Sequence, residues 1–281
     1  MLMPMASLYT YLLICNATLL LLHRCSGLSL DTVRDFLTRE EDTIVFSIIE
    51  RAKYPLNLPA YEVPAYFAGS RHDASFAELF VRDSEAVQTK AGRYQNQEEI
   101  PFFPFRVPFI LSPSYNFTSD LYPAAAFVNL NDEIWSIYFN QFLSLLAKNG
   151  DDGNYAATAA SDFLCLQALS KRINYGRYVA EVKFRGDPQN YTTLIRNKDK
   201  DALMKLLTSE SQEDVVKRRV QKKAMVFGQN VTSNGPVETG DSNSSQASFK
   251  VDPSLVYKLY DQWVIPLTKQ VEVEYLLHRL D

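Results

Sequence analysis

Arg172 and Lys183 stand eleven residues apart in a stretch, Ala156 to Phe184, that holds no proline and one glycine, Gly176. At about 100° per residue that separation returns to nearly the same helical face, with the Cα atoms roughly 16 Å apart along the axis. Two long cationic side chains leaning toward each other can hold a small anion. Two further pairs are spaced i,i+4: Thr268 with Glu272, set in VIPLTKQVEVEYLLHRL, and Ser209 with Glu213 near a helix start. Each pair puts polar groups on one helical face. Arg34 falls in the first turn of another predicted helix, where the dipole does not favour a cation. A basic residue there is exposed or meets an anion. On type and spacing alone, solvated faces are the commoner outcome for all of these residues, and periodicity does not bring them together.

Other chemistries lack their signatures. The three His (His23, His72, His278) are scattered, and no His or Cys pair has metal-ligand spacing. There is no GxGxxG, P-loop or GxSxG. No metal, nucleotide or nucleophilic mechanism is announced. A net charge of −4 argues against bulk nucleic-acid binding, so any cationic site must be local.

The positioning elements read as helices. Leu30 to Tyr54 repeats Val33, Phe36, Leu37, Ile44, Val45, Ile48 and Ile49 at helical intervals, with Asp31 as the expected N-cap. Pro55 to Pro64 ends it. Ser75 to Ala91 is a second helix, with Phe76, Leu79, Phe80 and Val87 on one side. Ile100 to Pro113, with four Pro and four Phe, reads as an extended, buried connector. Asn131 to Lys148 is a strongly apolar helix, and KNGDDGN after it is a turn. Ala156 to Phe184 reads as one rod of about seven or eight turns, with Leu164, Ala168, Tyr175, Val179 and Val182 on a core flank. Short helices follow at Tyr191 to Arg196 and Asp199 to Leu207, then Ser211 to Phe227. Gly228 to Pro253, rich in Gly, Ser, Asn and Thr, reads as a mobile loop. Ser254 to Ile265 and Leu267 to Leu280 close the chain, divided at Pro266. Strand-like alternation is scarce, so the expected class is all-α. The 281 residues suffice for one substantial core, and no domain boundary appears after residue 28.

Residues 1–27 differ from the rest. Leu8 to Leu22 is nearly all apolar, and Cys25, Ser26 and Gly27 follow. The pattern is signal-like and short for a membrane span, though no Lys or Arg precedes it. Five N-x-S/T sequons, at Asn16, Asn116, Asn190, Asn230 and Asn243, matter only on a secretory route. Removal of 1–27 would take Cys15 and Cys25 and leave Cys165 without an intramolecular disulfide partner.

Four stretches carry a resemblance: VRDFLTREEDTIVFSIIERAKYPLN, IPFFP, DDGNYAATAASDFLCLQALSKRINYGRYVAEVKF and WVIPLTKQVEVEYLLHRLD. In order and spacing they resemble the eukaryotic chorismate mutases from about Leu28 to Asp281, most closely the plant cytosolic-type pattern. The resemblance implies a single-domain, all-helical, homodimeric enzyme of the cytoplasm that uses no cofactor and converts chorismate to prephenate on the route to Phe and Tyr. It implies a pocket of Arg34, Arg172, Lys183, Ser209, Glu213, Thr268 and Glu272. In that pocket Arg34 and Arg172, assisted by Thr268, hold the two substrate carboxylates. Lys183 and a protonated Glu272 face the ether oxygen, and Glu213 accepts from the substrate hydroxyl. The rival expectation is a catalytically silent family member that binds an anion or partner. A third reading, prompted by residues 1–27, is a secreted enzyme.

The chain also departs from the family pattern. Ser209 stands where some members have Asn, and Lys171 replaces the first Arg of an Arg-Arg pair. Ala156, Ala157 and Ala160 occupy the positions of a Gly-Ser pair and a Thr in regulated members, while Arg93 and Asn154 remain. This degenerate effector region implies little response to aromatic amino acids.

Overall fold

In a computed structural model, residues 27–63, 74–106, 110–113, 120–229 and 249–281 are described. Among them there is no β-strand beyond one isolated antiparallel bridge, Gln229 to Phe249. The helices are α1 (Leu30–Arg51), α2 (Phe76–Lys90), α3 (Asn131–Ile137), α4 (Leu143–Leu146), α5 (Tyr155–Asn174), α6 (Gly176–Gly186), α7 (Pro188–Arg196), α8 (Lys200–Leu207), α9 (Glu210–Phe227), α10 (Pro253–Leu259) and α11 (Ile265–Leu277). The all-α expectation stands. Most of residues 1–27, and most of the loop expected at 228–253, lie outside the described residues.

α5 is the central rod, with fourteen of its residues buried. α1 lies along it, and α2 and α3 flank it. α11 packs mainly on α6, and α9 packs on α10 and α1. Two apolar clusters result. The larger joins Ile44 to Ile49 of α1, Ile134 to Leu143, Leu166 to Ile173 and Tyr260 to Val271. The smaller joins Tyr175 to Phe184, Tyr191 to Leu207 and Val273 to Leu276.

Several expectations are corrected. The rod at 156–184 breaks at Tyr175 (φ −64°, ψ −11°), which separates α5 from α6 and puts Arg172 and Lys183 on different helices. A Cβ on Gly176 would sit 2.7 Å from the Thr268 carbonyl oxygen, so α11 approaches as closely as glycine allows. Arg177 secures the break by donating to the carbonyls of Asn174, Ala126 and Gln97. Leu164, placed on the core flank, is exposed. The N-cap of α1 is Ser29, which forms a capping box with Thr32, and Asp31 lies in the first turn. The buried stripe of α2 is Ala77, Val81 and Glu85, while Phe76 and Val87 are exposed. That stripe follows the buried Glu85 carboxylate, which accepts from the N–H groups of Phe102 and Phe103 and from Gln167. The Phe-Pro connector is only partly covered: Phe102 and Phe103 pack on Trp135, whereas Phe105 and Leu111 are exposed.

Two π turns interrupt helices read as continuous or as divided elsewhere. One spans Tyr138–Phe142 between α3 and α4. The other spans Tyr260–Val264 between α10 and α11. The second places Pro266 at the start of α11, where its missing N–H costs least.

Candidate active site

One cavity of about 290 Å³ opens at the seam between the two clusters, near the lower end of the about 300–1,000 Å³ usual for small-ligand sites. Val33, Val179 and Leu207 reach it from the smaller cluster, and Val216 and Ile265 from the larger. All seven residues singled out from sequence line it: Arg34 from α1, Arg172 from α5, Lys183 from α6, Ser209 and Glu213 at the start of α9, and Thr268 and Glu272 from α11. Thr268 and Glu272 both belong to α11, whereas Ser209 is the extended N-cap residue before α9, so it reaches the cavity from outside the helix that carries Glu213.

Lys183 Nζ donates to Glu272 Oε2 and to the Leu207 carbonyl, both at 3.0 Å. Glu272 is buried, and burial pushes its carboxyl above the usual carboxylate range. The charges of Lys183, Arg172 and Lys269 oppose that shift without cancelling it. Arg172 is also buried. Its Nη1 donates to Thr268 Oγ1 at 3.3 Å, its Nε has no partner among the described residues, and its guanidinium lies 5.9 Å from the Tyr260 ring centroid. Thr268 donates its own hydroxyl to the Val264 carbonyl at 2.6 Å, so toward Arg172 it acts as an acceptor. Arg34 is exposed, and among the described residues its one ion-pair partner is Asp31 at 3.7 Å. Ser209 is the N-cap of α9 but makes no side-chain capping bond.

Sequence reading missed three charged lining residues, Glu41, Arg219 and Lys269. Glu41 is fully buried and forked by Arg219, with Lys223 at 3.1 Å. Lys269 pairs with Glu213 at 3.0 Å. A spacing signal existed for two of them: Glu41 is two turns after Arg34 and Lys269 is three residues before Glu272, whereas Arg219, six residues after Glu213, falls off that residue's helical face.

The effector residues do not share that cavity. Arg93 lines a second cavity, of about 630 Å³, together with Gln88, Asn96 and Glu99. Glu99 accepts from both Nε and Nη2 of Arg93 at 2.9 Å, and Gln88 accepts from Nη1. Asn154, Ala156, Ala157 and Ala160 belong to the start of α5 and do not line it. Among the described residues no group of three or more His, Cys, Asp or Glu could hold a metal ion.

Residues 154–273 match the profile of the family described as chorismate mutase type II. Chorismate mutase 2 of Arabidopsis thaliana is 55% identical, over 92% of this chain and 96% of its own. The cytosolic chorismate mutase 2 of Zea mays is 53% identical, over 90% and 97%. The crystal structure of AtCM1 with phenylalanine bound in an allosteric site superposes with a TM-score of 0.78 at 41% identity, covering 92% of this chain and 99% of that one.

Proposed function

Because this chain belongs to the chorismate mutase family, we propose that the seam cavity binds chorismate and carries its rearrangement to prephenate. The activity is that of the family, an isomerisation in aromatic amino acid biosynthesis, and a catalytically silent member is not favoured.

The observation that carries the site assignment is the pairing of charges in the cavity. Five cations line it (Arg34, Arg172, Lys183, Arg219 and Lys269) against three carboxylates (Glu41, Glu213 and Glu272). Each carboxylate has its own cation: Arg219 for Glu41, Lys269 for Glu213, Lys183 for Glu272. Arg172 has no carboxylate partner among the described residues, and Arg34 has only a loose, exposed one. With Glu272 protonated, as the rearrangement requires, three of these cations are left without a carboxylate of the cavity: Arg34 and Arg172 for a dicarboxylate, whose groups arginine forks suit, and Lys183 for the ether oxygen. Arg34 and Arg172 therefore take the two substrate carboxylates, with Thr268 acting through Arg172.

The reaction is an intramolecular [3,3] rearrangement. As the C–O bond breaks, charge builds on the ether oxygen. Lys183 and protonated Glu272, adjacent in the site, donate to that oxygen, as preorganised donors do. Glu213 accepts from the ring hydroxyl. The walls select the compact conformer. An acceleration of about 10⁶ needs roughly 8 kcal/mol from these contributions together.

Two wider readings follow. The protein works as a homodimer in the cytosol. The cytosolic maize relative supports the compartment. Exposed apolar side chains such as Phe46, Leu164 and Val226, which one chain leaves uncovered, support the dimer. Of the five sequons only Asn190 lies among the described residues, where its amide donates to Asp187. No helix among the described residues is long and apolar enough to cross a membrane. The test of function is loss of chorismate absorbance on adding purified protein, with prephenate identified as product. Saturable conversion is expected, and a folded protein without turnover would contradict the reading.

A further inference from the structure

Lys269 is given no contact with substrate above, its charge serving there to pair Glu213 and moderate the Glu272 carboxyl, yet it lines the cavity one residue beyond Thr268 and three before Glu272. Its ammonium lies 3.0 Å from Glu213 Oε1 and 3.3 Å from Oε2, so in the free protein it covers both carboxylate oxygens. About a fifth of each side chain is exposed, 21% for Lys269 and 23% for Glu213. The pair is thus better shielded than a surface ion pair. It also crosses between elements, since Glu213 belongs to the first turn of α9 and Lys269 to α11. α9 rests on α1 and α10, so this ion pair ties the α9 wall of the cavity to the α11 wall.

We propose that Lys269 is a positioning residue for Glu213: it holds that carboxylate against the α11 wall and neutralises it there, which fixes the acceptor for the ring hydroxyl of the substrate. The inference rests on the chorismate reading. A carboxylate offers about four lone-pair sites, so Glu213 keeps Lys269 on one oxygen while the hydroxyl uses the other. An uncompensated Glu213 would instead oppose entry of a dianion and leave the acceptor loosely aimed. Lys269 acts on substrate through Glu213, so its effect should vanish when Glu213 loses its charge.

The test is a double-mutant cycle in the full-length protein, with steady-state kinetics on chorismate and circular dichroism to check folding. Lys269→Met should raise KM about five- to tenfold with kcat within about threefold of the unsubstituted protein. Lys269→Gln serves as a second neutral variant and should behave alike. Lys269→Arg, which keeps the charge, should restore KM to within about twofold. In a Glu213→Gln background, Lys269→Met should change KM by less than about twofold. An equal rise in both backgrounds would overturn the inference, because Lys269 would then act on substrate directly. Unchanged KM for both neutral variants in the otherwise unsubstituted protein would also overturn it. Glu213→Gln alone at unsubstituted KM and kcat would instead sink the hydroxyl assignment beneath it, and is read separately from the cycle.

Discussion

At the scale of single residues, the donor role proposed for Glu272 ties the activity to pH. Burial raises its carboxyl, and the nearby cations only moderate the shift. On the proposed mechanism, Glu272 below the raised value is a hydrogen-bond donor to the ether oxygen; above it, an anion facing the breaking bond. Activity should therefore fall as pH rises through that value. Glu272→Gln keeps the donor at all pH and should hold its kcat/KM toward the alkaline side, where the unsubstituted protein declines. A Gln variant that is folded yet inactive from pH 5 to 9 would rule out the protonated-donor role. Stability follows the same sign. A carboxyl raised on folding contributes stability below its ordinary value and loses it as pH rises through the raised one. Glu272→Gln should then be the more stable protein at alkaline pH. Glu272 stood out by its spacing with Thr268 and its neighbours Val271 and Val273, but spacing alone favoured a solvated face, and its place in the pocket came from the family resemblance. Glu41 and Lys269 were marked only by helical spacing from Arg34 and Glu272, because their partners Arg219 and Glu213 lie on another helix and leave no short-range mark in the sequence.

At the scale of elements, the break at Tyr175 matters most. Sequence periodicity ran through it, since Ala168, Tyr175 and Val179 stay buried on either side. Gly176 was visible as the lone glycine of the stretch, but its reason is tertiary: the Thr268 backbone lies where a side chain would be. Gly176→Ala must push α11 away from α6, which carries Thr268 and Glu272 away from Arg172 and Lys183. It should cost about 1–3 kcal/mol in denaturant melts and depress kcat as well. A variant with unchanged stability and turnover would show that the close approach does not position the site. The π turns were likewise illegible: one extra residue shifts the helical phase by about 100°, but both turns lie in stretches so rich in apolar side chains that the shift leaves no gap in the spacing.

At the scale of the whole molecule, class and helix order were readable from apolar spacing, and the long matching stretches supplied what spacing lacked, namely which faces meet. The second cavity shows the limit of such reading. Arg93 was named, but its bidentate commitment to Glu99 and its bond to Gln88 appear only in three dimensions. An amino-acid carboxylate would have to displace Glu99 from that fork. With Ala156, Ala157 and Ala160 offering no side-chain polar groups, millimolar Tyr, Phe or Trp should leave initial rates within about twofold, on the ground that an occupied, charge-assisted fork is costly to open. A sigmoidal or strongly inhibited response would contradict this. The same preparation should run as a dimer in light scattering.

The central claim is that this molecule works by charge placed in advance at the ether oxygen, with Lys183 as the principal donor. The most direct measurement is kcat of Lys183→Ala at saturating chorismate, with folding verified. Loss of one such donor should lower kcat by about 10²–10³-fold or more. A folded variant that keeps kcat within about threefold of the unsubstituted protein would contradict the account.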